Sequence, residues 1–281
     1  MNKIGVIGAG VIGMGVAQSF AMNGYEVYLN DINKKQLEES KKSITMNLRF
    51  IKMMKKAEMQ GSIDDVVNRI HFTSNLIDLE PCKYIIENIV EDLNSKIKLY
   101  KELRNQHKED RLYIVNTSCI PIEEIADVME DKSKVIGIHF MNPVPMKDTV
   151  EVIKSKYTSN NCEEEVISLL KSINKEGLIV NDSPGFVSNR ISHLYMNEAA
   201  YIVLEGVADA ATVDDIFKKC FGHKMGPLET ADLIGIDTVV NSIKVLGNYF
   251  KGEKFKCCPL LIRMVEEGKL GRKSGEGFYI Y

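Results

Sequence analysis

No apolar run in the chain approaches the roughly eighteen residues of a membrane-spanning helix, so no such span is expected. There is no basic excess either: 36 Lys and Arg stand against 39 Asp and Glu, a net charge of -3. Without a positive field, a nucleic-acid partner is not expected. Six cysteines (Cys82, Cys119, Cys162, Cys220, Cys257 and Cys258) show neither C-x-x-C spacing nor the density of a disulfide scaffold. Thiols in a reducing compartment are the simplest account. Five histidines without paired ligand spacing give no zinc signature. Repeats and low-complexity tracts are missing too. The N-terminus is apolar like a secretion signal, yet it has four glycines in its first thirteen residues and begins a fold motif. A cytoplasmic protein is the expectation.

What is present begins at once. Lys3 to Ile7 reads as a buried strand, Gly8-Ala9-Gly10-Val11-Ile12-Gly13 follows, and Met14 to Asn23 has the apolar spacing of a helix. Strand, glycine turn and helix in that order form the context that a dinucleotide fingerprint requires. Gly8 permits the tight turn, Gly10 lets backbone N–H groups approach a pyrophosphate, and Gly13 lets helix and strand pack closely. The helix start, at Val11 and Ile12, offers unpaired donors and partial positive charge to phosphates. A second strand, Glu26 to Asn30, ends in Asp31, eighteen residues after Gly13. A carboxylate there accepts from ribose hydroxyls and repels a 2′-phosphate, which favours NAD over NADP.

Further on, Lys34 to Gln60 has helical periodicity, with Leu37, Ile44, Leu48, Ile51 and Met54 as its apolar positions. One long helix or a helical hairpin beyond the sheet is expected. Its Lys41, Lys42, Arg49, Lys52, Lys55 and Lys56 suit an anionic substrate tail or, equally, a solvated face. Strands are expected at Ile70 to Thr73, Tyr84 to Glu87, Leu112 to Val115, Val135 to Ile138, Thr149 to Ile153 and Gly177 to Val180. Helices at Asn94 to Arg104, Ile122 to Val128 and Cys162 to Ile173 alternate with them. That alternation implies a parallel sheet with its crevice beyond the carboxyl ends of the strands. The cluster Asp182-Ser183-Pro184-Gly185 ends the pattern, and only helix signals follow. The fold class is therefore α/β: a Rossmann-type NAD-binding domain over residues 1–182, then an all-α substrate and dimerisation domain over 183–281.

A NAD enzyme that oxidises a carbinol needs a proton acceptor, since hydride leaves only as the hydroxyl proton leaves. His139 is the candidate base, placed with Asn142 at a loop mouth that Pro143 and Pro145 make rigid. Alternation sets Glu151 on the face opposite Val150 and Val152, where a polar group needs a partner and a histidine would serve. Such a carboxylate orients the base and stabilises imidazolium. Ser118 and Asn189 are candidates to bind substrate oxygen.

Several strings then go further. Asn116-Thr117-Ser118, Gly137-Ile138-His139-Phe140-Met141-Asn142-Pro143-Val144-Pro145, Val150-Glu151-Val152-Ile153 and Pro184-Gly185-Phe186-Val187-Ser188-Asn189-Arg190 resemble the 3-hydroxyacyl-CoA dehydrogenase family. Met225-Gly226-Pro227-Leu228 with Asp232 to Asp237, and Gly271 to Tyr279, are similar to it as well. The resemblance runs through the whole chain, at the length of short bacterial 3-hydroxybutyryl-CoA dehydrogenases. It implies His139 as base, Glu151 as its carboxylate, and Ser118 and Asn189 at the substrate. It also implies Glu91, Lys96, Ser118, Asn142 and Lys273 as NAD contacts beside Asp31, with Lys34 to Gln60 over the CoA tail. A homodimer through the helical domain and a place in fatty-acid metabolism are further implications.

Two departures accompany the resemblance. Lys147-Asp148-Thr149 stands where the family commonly has Met-Lys-Leu. Asn47 and Met54 stand where CoA-using relatives often carry a hydroxyl and a lysine, which weakens a phosphate contact. Relatives that act on acyl-carrier-protein thioesters in hydroxymalonyl or methoxymalonyl extender-unit synthesis are therefore an alternative. Lens crystallins resembling the family supply another, a non-enzymatic NAD-binding protein.

Overall fold

A computed structural model of the chain describes residues 3–54, 58–105 and 110–281. Lys55 and Lys56 of the basic stretch lie outside the described residues. Two compact units divide at Asp182, Met1–Asp182 and Ser183–Tyr281.

The first unit runs β1 (Lys3–Ile7), α1 (Val11–Met22), β2 (Val27–Asn30), α2 (Lys34–Met54), α3 (Ile63–Asn68), β3 (Ile70–Thr73), β4 (Cys82–Glu87) and α4 (Leu93–Arg104). It continues with β5 (Leu112–Asn116), α5 (Ile122–Ala126), β6 (Val135–His139), β7 (Thr149–Lys154), α6 (Asn160–Lys171) and β8 (Glu176–Asn181). The strands form one sheet in the order β3-β2-β1-β4-β5-β6-β7-β8. β1 to β6 pair in parallel, so their carboxyl ends gather along one edge. β7 is antiparallel to β6, and β8 is parallel to β7.

That reversal departs from a purely parallel sheet, and loop length explains it. Residues 140–148 alone separate β6 from β7. A parallel return needs a crossover of a dozen or more residues. The shorter loop turns the chain straight back, and this brings two strand ends together at His139 and Glu151.

Helix α1 packs Val16, Ala17 and Phe20 against Ile4, Val6 and Leu29 of the sheet. It tolerates Gly13 and Gly15, each about 1 kcal/mol worse than alanine in a helix interior, because neighbours come too close for a side chain. A methyl group at Gly13 would overlap the Gly8 carbonyl oxygen, and one at Gly15 would lie 3.0 Å from Val144 Cβ. Helix α2 buries Leu37, Ile44, Leu48 and Ile51 on one stripe. Met54, placed on that stripe by its spacing, is instead 46% exposed. Local side chains start several helices: Ser62 caps α3, Asp92 caps α4 and Ser159 caps α6.

The second unit holds α7 (Ser188–Leu204), α8 (Ala210–Phe221), α9 (Pro227–Ile234), α10 (Ile236–Phe250) and α11 (Pro259–Glu266). Met196, Ala200, Leu228, Ile236, Ile243 and Leu261 form the centre of its core. Two buried carboxylates fasten its C-terminal segment. Asp214 accepts from Leu228 N and Glu229 N at 2.8 Å and from Tyr279 Oη at 2.7 Å. Asp232 accepts from Phe278 N and Tyr279 N at 3.0 Å. Side chains at Gly271 or Gly277 would collide with Asp232, which accounts for two glycines of the terminal string. Among the described residues no helix is long and apolar enough to cross a membrane.

Candidate active site

At the end of β1 the chain turns through Gly8 in the left-handed region, at φ +94°. A methyl there would lie 2.5 Å from Asn88 O at the end of β4. Gly10 is different, because a methyl on it would meet nothing within 4 Å. Gly8 and Gly13 thus answer to protein neighbours, whereas Gly10 faces open space in which a ligand fits. Helix α1 starts there with no side-chain cap and no acidic residue in its first turn. Its first N–H groups, from Val11 and Ile12 onward, have no helical acceptors and suit an anion.

Asp31 follows β2 and is tied to the same turn. Its Oδ2 accepts from Ala9 N at 2.8 Å and its Oδ1 from Asn33 N at 2.9 Å. Gly8, Gly10, Asp31, Asn88, Val90 and Lys98 help line a cleft of about 590 Å³. Glycine turn, helix start, carboxylate and cleft together fit a dinucleotide. Lys98, on α4, is absent from the sequence expectations.

The ends of β4, β5 and β6 are joined by a polar network. Glu91 Oε1 alone accepts from Thr117 Oγ1 at 2.6 Å, Ser118 N at 2.8 Å and Cys119 N at 2.9 Å. Its role in the structure is to hold the turn that presents Ser118. Lys96 has no exposed surface, and its Nζ donates to Glu87 Oε1 at 2.6 Å and to Asn116 O at 3.0 Å. Burial pushes the Glu87 carboxyl above its ordinary range, with the Lys96 ammonium opposing that shift. Asn116 Oδ1 in turn accepts from Phe140 N at 3.2 Å, one residue past His139. Lys96, expected as a cofactor contact, is thus buried among these protein groups at the strand ends.

His139 is the last residue of β6 rather than the first of the loop, so the ladder fixes its backbone. Its direct register partner on β7 is Glu151. His139 Nδ1 lies 2.9 Å from Glu151 Oε2, and Nε2 lies 3.3 Å from Ser118 Oγ. A carboxylate only accepts, so Nδ1 carries the proton and Nε2 presents its lone pair toward Ser118. The imidazole is 7% exposed. Asn142 is exposed on the loop that follows.

Two expected site residues belong to the second unit. Asn189 is in the first turn of α7, and its carbonyl accepts from His193 Nδ1 at 2.8 Å. Lys273, on a short turn at Arg272–Ser274, pairs with Asp237 at 2.5 Å.

With this geometry in hand, comparison with known proteins gives consistent matches. Residues 3–183 match the model of the 3-hydroxyacyl-CoA dehydrogenase NAD binding domain, and residues 185–281 match that of its C-terminal domain. The chain is 40% identical over 280 residues to the 3-hydroxybutyryl-CoA dehydrogenase of Clostridioides difficile, covering 99% of each. It is 42% identical over 279 residues to the "Probable 3-hydroxybutyryl-CoA dehydrogenase" of Deinococcus radiodurans, covering 99% of this chain and all of that one. Among solved structures, (S)-3-hydroxybutyryl-CoA dehydrogenase PaaH1 from Ralstonia eutropha superposes with a TM-score of 0.95 at 33% identity, covering all of this chain and 99% of that one.

Proposed function

The chain belongs to the 3-hydroxyacyl-CoA dehydrogenase family, and from that membership we propose that it interconverts a 3-hydroxyacyl thioester and its 3-oxoacyl form with NAD. The observation that carries the reading is the histidine held between Glu151 and Ser118, with Nδ1 on the Glu151 side and Nε2 on the Ser118 side.

In the oxidative direction His139 Nε2 takes the proton of the substrate's 3-hydroxyl as the C3–H bond breaks. NAD, when bound, supplies the acceptor for the hydride. Glu151 keeps the imidazole in the productive tautomer and stabilises the imidazolium. Ser118 donates to the substrate oxygen, and Asn189 is the second such donor. Gly8, Gly10, Val11, Ile12 and Gly13 hold the pyrophosphate, and Asp31 accepts from the adenosine ribose. Glu91, Lys96, Ser118, Asn142 and Lys273 are the remaining proposed cofactor contacts.

Coenzyme A is the proposed carrier, supported by relatives whose names specify CoA thioesters. A second reading, an acyl-carrier-protein thioester, draws on one feature of α2. There Met46, Phe50, Met53 and Met54 are exposed among Lys42, Arg49 and Lys52, a basic and apolar face suited to an acidic protein. NADH consumption with acetoacetyl-CoA and with acetoacetyl carrier protein separates the two. The CoA reading expects kcat/KM higher for CoA by at least about tenfold, and the reverse ratio overturns it.

A homodimer belongs to the same proposal. Exposed Ile216, Phe221, Leu233 and Ile234 on the helical unit support it, because large apolar side chains left in water favour burial against a second copy.

A further inference from the structure

The loop 140–148 joins the strand that carries His139 to the strand that carries Glu151, and its one regular element is a short turn at Val144–Met146. On one side it rests on α1, where Gly15 leaves room for Val144. On another side it receives a buried lysine. Lys175, the residue before β8, is 5% exposed, and its Nζ donates to Val144 O at 2.7 Å and to Lys147 O at 2.6 Å.

The backbone around Lys175 is fixed independently of that contact. Lys175 N donates to Leu170 O at 3.0 Å, and Glu176 N donates to Asp148 O at 2.7 Å. The end of α6 does not need the ammonium either, since Ser172 Oγ donates to Leu169 O at 2.6 Å. Both acceptors of Nζ therefore belong to the loop. Burying an ammonium is costly unless its donors are matched, and here backbone carbonyls on both sides of a single loop turn match it. Three donors on one compact head can bridge two carbonyls that apolar packing alone would leave free to separate.

We propose that Lys175 is a positioning residue: its ammonium fastens the β6–β7 loop and so keeps Glu151 in register behind His139. This inference rests on the reading of His139 and Glu151 as the reacting pair.

The test compares Lys175→Met, which fills the space without donating, with Lys175→Arg, which keeps a charged donor. Ser172→Ala serves as control, because it disturbs the neighbouring Tyr25–Ser172 hydrogen bond of 2.6 Å without touching the loop. Hydrogen exchange by mass spectrometry and steady-state kinetics are read on all three. In K175M the peptide spanning 140–149 exchanges faster while the β1 and α1 peptides do not. Its kcat falls by about ten- to a hundredfold while the thioester KM changes by less than about threefold, as expected when reacting groups lose alignment. K175R recovers most of that kcat, and S172A keeps it. Should K175M not fold, Lys175→Gln carries the same measurements. A kcat in K175M within about twofold of wild type overturns the proposal, as does a kcat loss that S172A matches at equal loss of Tm. The exchange measurement needs no substrate, so it separates failure of this inference from failure of the thioester reading.

Discussion

His139 and Glu151 are direct register partners across an antiparallel strand pair, with Nδ1 2.9 Å from Oε2. Both backbones are in the ladder, joined by the loop 140–148. Replacing Glu151 with Gln keeps the shape and an acceptor oxygen but removes the charge that stabilises imidazolium. The expected result is a kcat lower by roughly ten- to a hundredfold, with NADH affinity unchanged, read by steady-state kinetics and fluorescence titration.

Asp31 accepts from Ala9 N in the glycine turn, so its carboxylate is held where an adenosine ribose is proposed to lie. Asp31→Ser removes the repulsion toward a 2′-phosphate. The ratio of kcat/KM for NADH over NADPH should fall by at least about tenfold, mostly through a weaker NADH term.

Gly10 and Gly13 should fail in different ways when changed to alanine. At Gly13 the new methyl collides with the Gly8 carbonyl, so G13A should lower Tm markedly. At Gly10 it enters open space, so G10A should melt like wild type yet bind NADH at least about tenfold more weakly, because the methyl occupies the pyrophosphate's place. Thermal melts and NADH titration together distinguish these outcomes.

Both glycines and Asp31 are legible in the sequence because their constraints are local: a turn, a helix start and the next strand end. His139 and Glu151 could be singled out as well, since strand alternation and a proline-bounded loop place them, although β6 extends one residue further than its apolar run suggests. Long-range partners leave no periodic trace. Nothing in the local pattern reveals that Glu91 holds residues 117–119, that Lys96 is buried against two strand ends, or that Lys175 reaches back about thirty residues to the loop. The reversal of β7 is a matter of loop length, a signal that the alternation of strands with helices masks. Met54 fits the helical spacing of a buried stripe, yet it falls on the last turn of α2 and is exposed there.

Burial pulls the Lys175 ammonium below its ordinary value of 10.5, with Asp148 opposing. The unfolded chain therefore holds this proton more tightly than the folded one, so the group's contribution to stability rises with pH. That rise starts at the lowered folded-state value and is complete at the unfolded 10.5. Melting temperatures of wild type and K175M, compared from about pH 8 to about pH 11, should show a constant difference at first. Closer to 10.5 the difference should shift in favour of wild type, and an unchanged difference throughout would contradict the assigned shift.

The central claim is that His139 moves the substrate's hydroxyl proton while NAD exchanges the hydride. Its most direct measurement is the turnover of acetoacetyl-CoA with NADH by wild type and by His139→Gln, alongside NADH binding. The account predicts wild-type turnover, a loss in H139Q by a factor on the order of hundreds or more, and NADH affinity within about twofold of wild type. An H139Q protein that turns over at the wild-type rate would contradict it.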